Sequence, residues 1–465
     1  MALKTSLIKP ATPHDRDDLI ALMSLAVLQP RFSVERSIAA VEAVGGEEAA
    51  RILGNHRTRS IVMPRLAPYA ESSPAVAACM EAIRPRATRI REMHGLIEEN
   101  LKRLDDIARE HGIELFAIKG LGARVTYPDP GIRDFGDLDL FVRRRADAYF
   151  LSQLLRREYG HVYNPNELPW FKYDPAAGLL YGQINLLAPE GGSELNIDLH
   201  FGDYSVRHCA RIGLADVLPR HEPGLEVIAP EENLACCVNN AAGDYFVTAK
   251  DVNDLLMALA LPAFDVSRFE ARLRHSGLGE YFGFIVARLR EVCVLTPAQE
   301  ARLRSLPSAR TLEPTPELDG PHWTRRCLGT TVHAYRVNRR EGRVRALRIA
   351  ADAYGYYRDR LKLEVVPAAP GQEPPALELN PWTCVRLVPA VIAHELAADR
   401  TSGPGQPAAL FRRTQLLGDP GVVRHDGPAG TVVRVDGEYF VPTVDYRLPR
   451  DLVEQAWALH TASGC

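Results

Sequence analysis

Apolar residues change their period twice along this chain, and a segment patterned for a helix cannot serve as a strand, or the reverse. From about residue 15 to residue 111 they recur at three and four, as in Leu19, Leu22, Met23, Val27 and again in Leu96, Leu101, Leu104, Ile107. Between 113 and 208 the period falls to two in short runs, Ile113 to Ile118, Leu138 to Val142 and Leu195 to Phe201, around a helical stretch from Ala146 to Tyr159. From Pro230 the helical period returns. Pro230-Glu231-Glu232 reads as a first turn, Thr296-Pro297-Ala298-Gln299 as a capping box, and 321 to 362 as helical. Five prolines between Pro367 and Pro381, then the Gly- and Pro-rich stretch Thr401 to Pro407, suit linkers or surface loops. Val422 to Arg424, Thr431 to Val435 and Glu438 to Val441, with Asp426-Gly427 and Asp436-Gly437 as turn signals, predict a small β-meander. The expectation is an α+β protein with a helical domain over 1–111, an α/β core over 112–225, a second helical domain over 226–364 and a β-containing region over 365–465.

The 465 residues suffice for several cores of their own. Lys plus Arg number 56 against 59 Asp plus Glu, and a net charge of −3 lacks the broad positive field of proteins that grip nucleic acid through many phosphates. Of the basic residues only seven are Lys, a bias that points to a GC-rich genome and to no partner. The eight cysteines form no CxxC pair, which predicts buried free thiols; the adjacent Cys236 and Cys237 fall in a helical run and read as packing. The opening MALKTSLIKPATPHDRDD lacks an apolar core of signal-peptide length, and no run of about 18 apolar residues follows, so a cytoplasmic protein is expected.

Chemistry concentrates in Gly131-Ile132-Arg133-Asp134-Phe135-Gly136-Asp137-Leu138-Asp139-Leu140-Phe141-Val142, where a Gly-led turn feeds a strand. Residues two apart on a strand share a face, so Asp137 and Asp139 project together. Two such carboxylates repel unless a cation lies between them, and oxygen donors suit Mg²⁺. A lone Asp-x-Asp also occurs on solvent-facing strands. The run Glu194-Leu195-Asn196-Ile197-Asp198-Leu199-His200-Phe201 alternates cleanly and sets Asp198 and His200 on one face. Asp198 is then a candidate third carboxylate, and three of them can hold two ions for phosphoryl transfer. His200 reads as orienting Asp198 or packing beneath it; no compact zinc-type spacing accompanies it. Upstream, a strand ends in Lys119-Gly120 before a short helix. Gly120 admits phosphate close to the backbone, Lys119 adds a point charge, and Arg133 is within reach of the same phosphates.

These residues resemble the uncharacterised nucleotidyltransferase family of bacteria, a branch of the polymerase-β-like superfamily. The resemblance is carried by Phe116-Ala117-Ile118-Lys119-Gly120, by Tyr127-Pro128-Asp129-Pro130-Gly131-Ile132-Arg133, by Gly136-Asp137-Leu138-Asp139-Leu140 and by Ile197-Asp198-Leu199-His200. It extends to Asn55-His56-Arg57 through Met63-Pro64-Arg65-Leu66 in the leader, to Pro230-Glu231-Glu232 and to Lys250-Asp251-Val252-Asn253-Asp254, and so spans roughly 15 to 300. It implies a polymerase-β-like core of small mixed sheet and helices between helical domains. It also implies Asp137 and Asp139 on two Mg²⁺ (or Mn²⁺) ions, Asp198 on the catalytic ion and assisting the acceptor's deprotonation, and Lys119 and Gly120 at the triphosphate. Two positions depart from the superfamily pattern: Lys-Gly replaces the usual Gly-Ser before the helix, and Phe201 follows Asp-Leu-His where Trp is common.

The expected activity is therefore transfer of a nucleoside monophosphate, AMP from ATP above all, to a small-molecule or peptide acceptor with release of pyrophosphate, in a biosynthetic setting. Transfer to tRNA or protein, as in toxin-like relatives, is the second expectation, with nucleic acid disfavoured by the balanced charge and no membrane partner expected. A non-catalytic nucleotide-binding scaffold is the third.

Overall fold

The computed structural model describes residues 14–164, 168–174, 178–205, 211–214, 219–220, 226–244, 246–309, 318, 323–339, 342–365, 386–397, 421–443 and 448–463. In chain order these form α1 (Arg16–Leu25), α2 (Val34–Val44), α3 (Gly46–Asn55), α4 (Arg59–Leu66), α5 (Pro74–His111), β1 (Leu115–Ala117), α6 (Lys119–Arg124), β2 (Leu138–Val142), α7 (Arg145–Tyr159), β3 (Val162–Tyr163), β4 (Trp170–Asp174), β5 (Leu179–Leu187), β6 (Ile197–Phe201) and β7 (Asp203–Ser205). There follow β8 (Arg211–Gly213), β9 (Pro219–Arg220), β10 (Glu226–Ile228), α8 (Pro230–Asp244), α9 (Ala249–Ala260), α10 (Val266–Ser276), α11 (Gly279–Val292), α12 (Pro297–Arg304), α13 (Trp323–Asn338) and α14 (Arg343–Val365). The last are β11 (Arg386–Pro389), α15 (Ala390–Ala397), β12 (Val422–Gly427), β13 (Gly430–Val435), β14 (Glu438–Thr443) and α16 (Arg450–Ala462). The fold is α+β with mixed strand pairing. Two compact units divide it, one up to Asp139 and again over most of 211–329, the other over 140–205, 213–214 and from 330 on.

In the first unit the leader is helical, as its period predicts. The helix α5 starts where the Ser73 side chain accepts from the Val76 N–H and Pro74 fills the first turn, and it stops at Gly112, whose φ of +64° an L side chain resists. Its apolar stripe, Val76, Met80, Ile83, Ala87, Ile90, Ile97, Leu104 and Ile107, is buried. The chain then enters β1, which pairs parallel with β10 (Phe116↔Glu226), and β10 pairs antiparallel with β9. Helix α9 opens on a capping box of Thr248 and Asp251, and α12 on the expected one of Thr296 and Gln299.

In the second unit β5 pairs antiparallel with β4 on one side (Trp170↔Gln183) and with β6 on the other (Asn185↔Asp198); β11, β14, β13 and β12 continue the order beyond β4. One face is apolar, with Phe171, Ile184, Leu199 and Phe201 almost fully buried. Tyr149 of α7 lies against Phe171 with ring centroids 5.9 Å apart, so α7 covers that face and leaves the other to Asn185, Asp198 and His200.

The meander forms with one correction. Asp436-Gly437, at φ of +51° and +82°, makes the second turn as expected. The first turn is Pro428-Ala429, not Asp426-Gly427: Asp426 and Gly427 still belong to β12, whose ladder closes at Gly427↔Gly430. Gly427 is small for packing, since a Cβ there would lie 2.2 Å from Gln455 Oε1. Cys79, Cys236, Cys237, Cys293 and Cys327 are free and buried; Cys209, Cys384 and Cys465 and the proline-rich linkers lie outside the described residues. Burial pushes the Cys79 and Cys293 thiols up to about 12. Among the described residues no helix is long and apolar enough to cross a membrane.

Candidate active site

The segment before β2 is held by buried charge. Arg133 donates from Nε and Nη2 to the two oxygens of Asp254 on α9, each at 2.7 Å, and the Tyr127 hydroxyl donates to Asp254 Oδ1 at 2.7 Å. Burial alone would lower the Arg133 guanidinium, but Asp254 and Tyr127 outweigh it and raise it; burial, then Asp254, pushes the Tyr127 phenol well up. Asp134 accepts from the Arg59 N–H at 2.6 Å and the Ser60 N–H at 3.1 Å, serving the open end of α4, where Thr58 supplies no side-chain cap. Arg133 and Asp134 thus fasten the approach to β2 onto two helices.

Helix α9 is fixed in turn by the leader. His56 Nδ1 accepts from the Ala249 N–H at 3.2 Å and its Nε2 lies 3.1 Å from the Leu318 carbonyl oxygen, a pair of partners that defines the neutral tautomer protonated at Nε2. Burial, and then the Arg288 charge, pull its pKa down to about 4. Asn253 accepts from the Leu28 N–H and donates to the Ala26 carbonyl.

On β2, Asp139 is buried and its carboxylate is paired with Lys119 Nζ, while its own carbonyl accepts from the Ile118 N–H at 3.0 Å. Lys119 has a left-handed φ of +52°, a costly conformation for a residue with a Cβ. Asn233 of α8 steadies it, donating to the Lys119 carbonyl at 3.1 Å. Gly122 fits beneath, since a Cβ there would lie 2.7 Å from Asn233 Oδ1; at Gly120 a Cβ would meet nothing nearer than Arg133 Nη1 at an ordinary 3.4 Å.

On β6, Asp198 and His200 point to the same face, and Asn185 of β5, directly across, donates to Asp198 Oδ1 at 2.6 Å. The His200 ring stands edge-on to Tyr204 at 5.1 Å. Asp139, Asp198 and His200 each offer one ligand atom, and these atoms lie within 4.8 Å of one another. The two carboxylate oxygens suit Mg²⁺ or Mn²⁺, and an imidazole nitrogen beside them is a donor that Mn²⁺ tolerates better than Mg²⁺, so the donor set fits a divalent ion.

Of the residues singled out in the sequence, the structure brings together Asp139, Asp198, His200 and, through its ion pair, Lys119. Asp137 precedes β2 and stands outside the ligand group; Arg133 is engaged with Asp254, and Gly120 lies beside the Arg133 guanidinium. His200 enters as a ligand candidate, where the sequence suggests only an orienting or packing role. Asn185 and Asn233 were missed. A polar residue between the apolar Ile184 and Leu186 is the signal that marks Asn185; nothing local marks Asn233.

A family model described as "Uncharacterised nucleotidyltransferase" matches residues 43–293, more than half of the chain. The solved structure of an antigenic nucleotidyltransferase-like protein from Paracoccidioides brasiliensis is similar at 14% identity and a TM-score of 0.23, over 42% of this chain and 93% of that one. That likeness is too distant to add to the family match. No curated protein matches the chain.

Proposed function

The chain belongs to the uncharacterised nucleotidyltransferase family, and from that premise we propose that it transfers a nucleoside monophosphate, AMP from ATP first among the candidates, to a small-molecule or peptide acceptor. The observation that carries the reading is the set of ligand atoms on Asp139, Asp198 and His200 within reach of one ion. Asp137, one residue before β2, is proposed to join them when a second ion and a triphosphate are present. Bound Mg²⁺ or Mn²⁺ would neutralise charge on the triphosphate and on the departing pyrophosphate.

Lys119 contributes a cation at the triphosphate, and Gly120 leaves room for a phosphate oxygen against the backbone. An acceptor hydroxyl, carboxylate, phosphate or amine attacks the α-phosphorus, the bond to the bridging oxygen of the β-phosphate breaks, and pyrophosphate leaves; Asp198 takes the proton of a hydroxyl or amine acceptor. Arg133, bonded to Asp254, keeps the strand in place for this chemistry.

Incubation of the full chain with each α-labelled nucleoside triphosphate, Mg²⁺ and small-molecule and peptide fractions of a cell extract tests the reading. One nucleotide should give a labelled acceptor and an equal amount of pyrophosphate. No label from any of the four nucleotides, with Mg²⁺ or Mn²⁺, sinks it.

A further inference from the structure

Asn185 occupies a place that strand packing does not explain. Its neighbours Ile184 and Leu186 are buried in the apolar face of β5, while Asn185 faces the other way at 3% exposure, across the ladder from Asp198. Val or Thr would serve a buried strand position better. Its Oδ1 meets no partner among the described residues, and burying an unpaired carbonyl oxygen costs free energy. The amide orientation follows from charge: turning it over would set Oδ1 against the Asp198 carboxylate, so the N–H side faces it, at 2.6 Å.

From this geometry we infer that Asn185 is a positioning residue: its amide N–H fixes one oxygen of Asp198 and thereby presents the carboxylate to a divalent ion. The inference rests on the metal-binding reading above and deepens it. A carboxylate free to turn about its χ angles loses entropy each time it binds an ion, whereas one already held in a cross-strand hydrogen bond has lost that freedom on folding. Partners of this kind around ligating carboxylates set metal affinity as strongly as many ligands do.

The test uses the full chain and Mn²⁺ alone, with free Mn²⁺ read by its paramagnetic resonance signal and folding checked by thermal melting. Asn185→Leu should weaken Mn²⁺ binding by about 10- to 100-fold without a matching loss of folded protein. Asn185→Val, whose β-branched side chain suits a strand and carries no hydrogen-bond donor, should do the same and answers the question if the leucine variant does not fold. Gln183→Leu, on the same face two ladder pairs away, should bind as the unmodified chain does. A folded Asn185→Leu or Asn185→Val protein that binds Mn²⁺ as tightly as the unmodified chain overturns the role of Asn185. If at the same time Asp198→Asn abolishes binding, the metal site itself stands; if the unmodified chain binds no Mn²⁺, the metal reading and this inference fall together.

Discussion

Asp254 and Asp139 are both buried carboxylates, 3% and 5% exposed, and each faces a cation, yet the two are served in opposite ways. Asp254 meets a guanidinium through two parallel bonds and a tyrosine hydroxyl through a third. Planar, bidentate and locked between elements 121 residues apart in sequence, that cluster acts as a rivet. Asp139 meets an ammonium, a compact charge on a flexible stem, and belongs to a group of ligand atoms that fits an ion. One motif therefore contains both a fastening that nothing need displace and a carboxylate whose counter-ion a metal can replace. Melting with and without Mn²⁺ separates the two.

The largest effect is expected at Asp139. Asp139→Asn removes a ligand charge, and several kcal/mol of charge stabilisation correspond to a loss of about a thousandfold or more in nucleotidyl transfer. Its melting temperature should stop rising on addition of Mn²⁺. Retained transfer at near the original rate would move the active centre away from β2.

Next stands Asp254→Leu, which leaves the Arg133 guanidinium buried without its carboxylate and should cost about 3–5 kcal/mol of stability. In contrast to Asp139, the loss should be the same in the presence and absence of Mn²⁺. A loss that Mn²⁺ repairs would mean that the rivet also belongs to the metal site.

The third effect depends on pH. His56 is neutral in the folded chain until about pH 4, whereas an unfolded histidine protonates near 6.5. Below that pH the unfolded chain binds a proton that the folded chain refuses, so the His56 contribution is whole above about 6.5 and is lost as pH falls toward 4. It amounts to about 3 kcal/mol at the acid end. His56→Asn keeps a donor and an acceptor without a titrating group, and its melting temperature should fall less between pH 7 and pH 5 than that of the unmodified chain. Parallel falls would assign the acid sensitivity elsewhere.

How much of this was legible beforehand follows from how far each interaction reaches along the chain. Strand alternation places Asp198 and His200 on one face because the period of two is a local rule, and the capping box of α12 is legible for the same reason. Partnerships across long separations are not: Arg133 with Asp254 is set by where α9 packs, and the sequence suggests phosphate for that guanidinium. The left-handed backbone of Lys119 is equally hidden, because lysine carries no signal for it and Asn233, which holds its carbonyl, lies 114 residues away. The Gly427 turn misleads for a packing reason: glycine there makes room for Gln455, and the chain reverses one pair later.

The smallest effect is the one that most directly sharpens the contrast between the two carboxylates. If Lys119 holds the place of a metal, it competes with one. Without metal, Lys119→Met leaves the Asp139 charge to find weaker partners, at a cost of about 1.5–3 kcal/mol for a mostly buried charged pair. With Mn²⁺ bound, the ion supplies that charge and the cost shrinks. Ligand binding stabilises only the folded chain, so the variant should gain more in melting temperature on addition of Mn²⁺ than the unmodified chain does, while its starting point is lower. The same substitution removes a cation from the triphosphate, so the nucleotide KM should rise even as metal binding tightens. A Mn²⁺ gain equal to or smaller than that of the unmodified chain would show that lysine and metal do not share the carboxylate, and Lys119–Asp139 would then be a second rivet rather than a counter-ion that gives way.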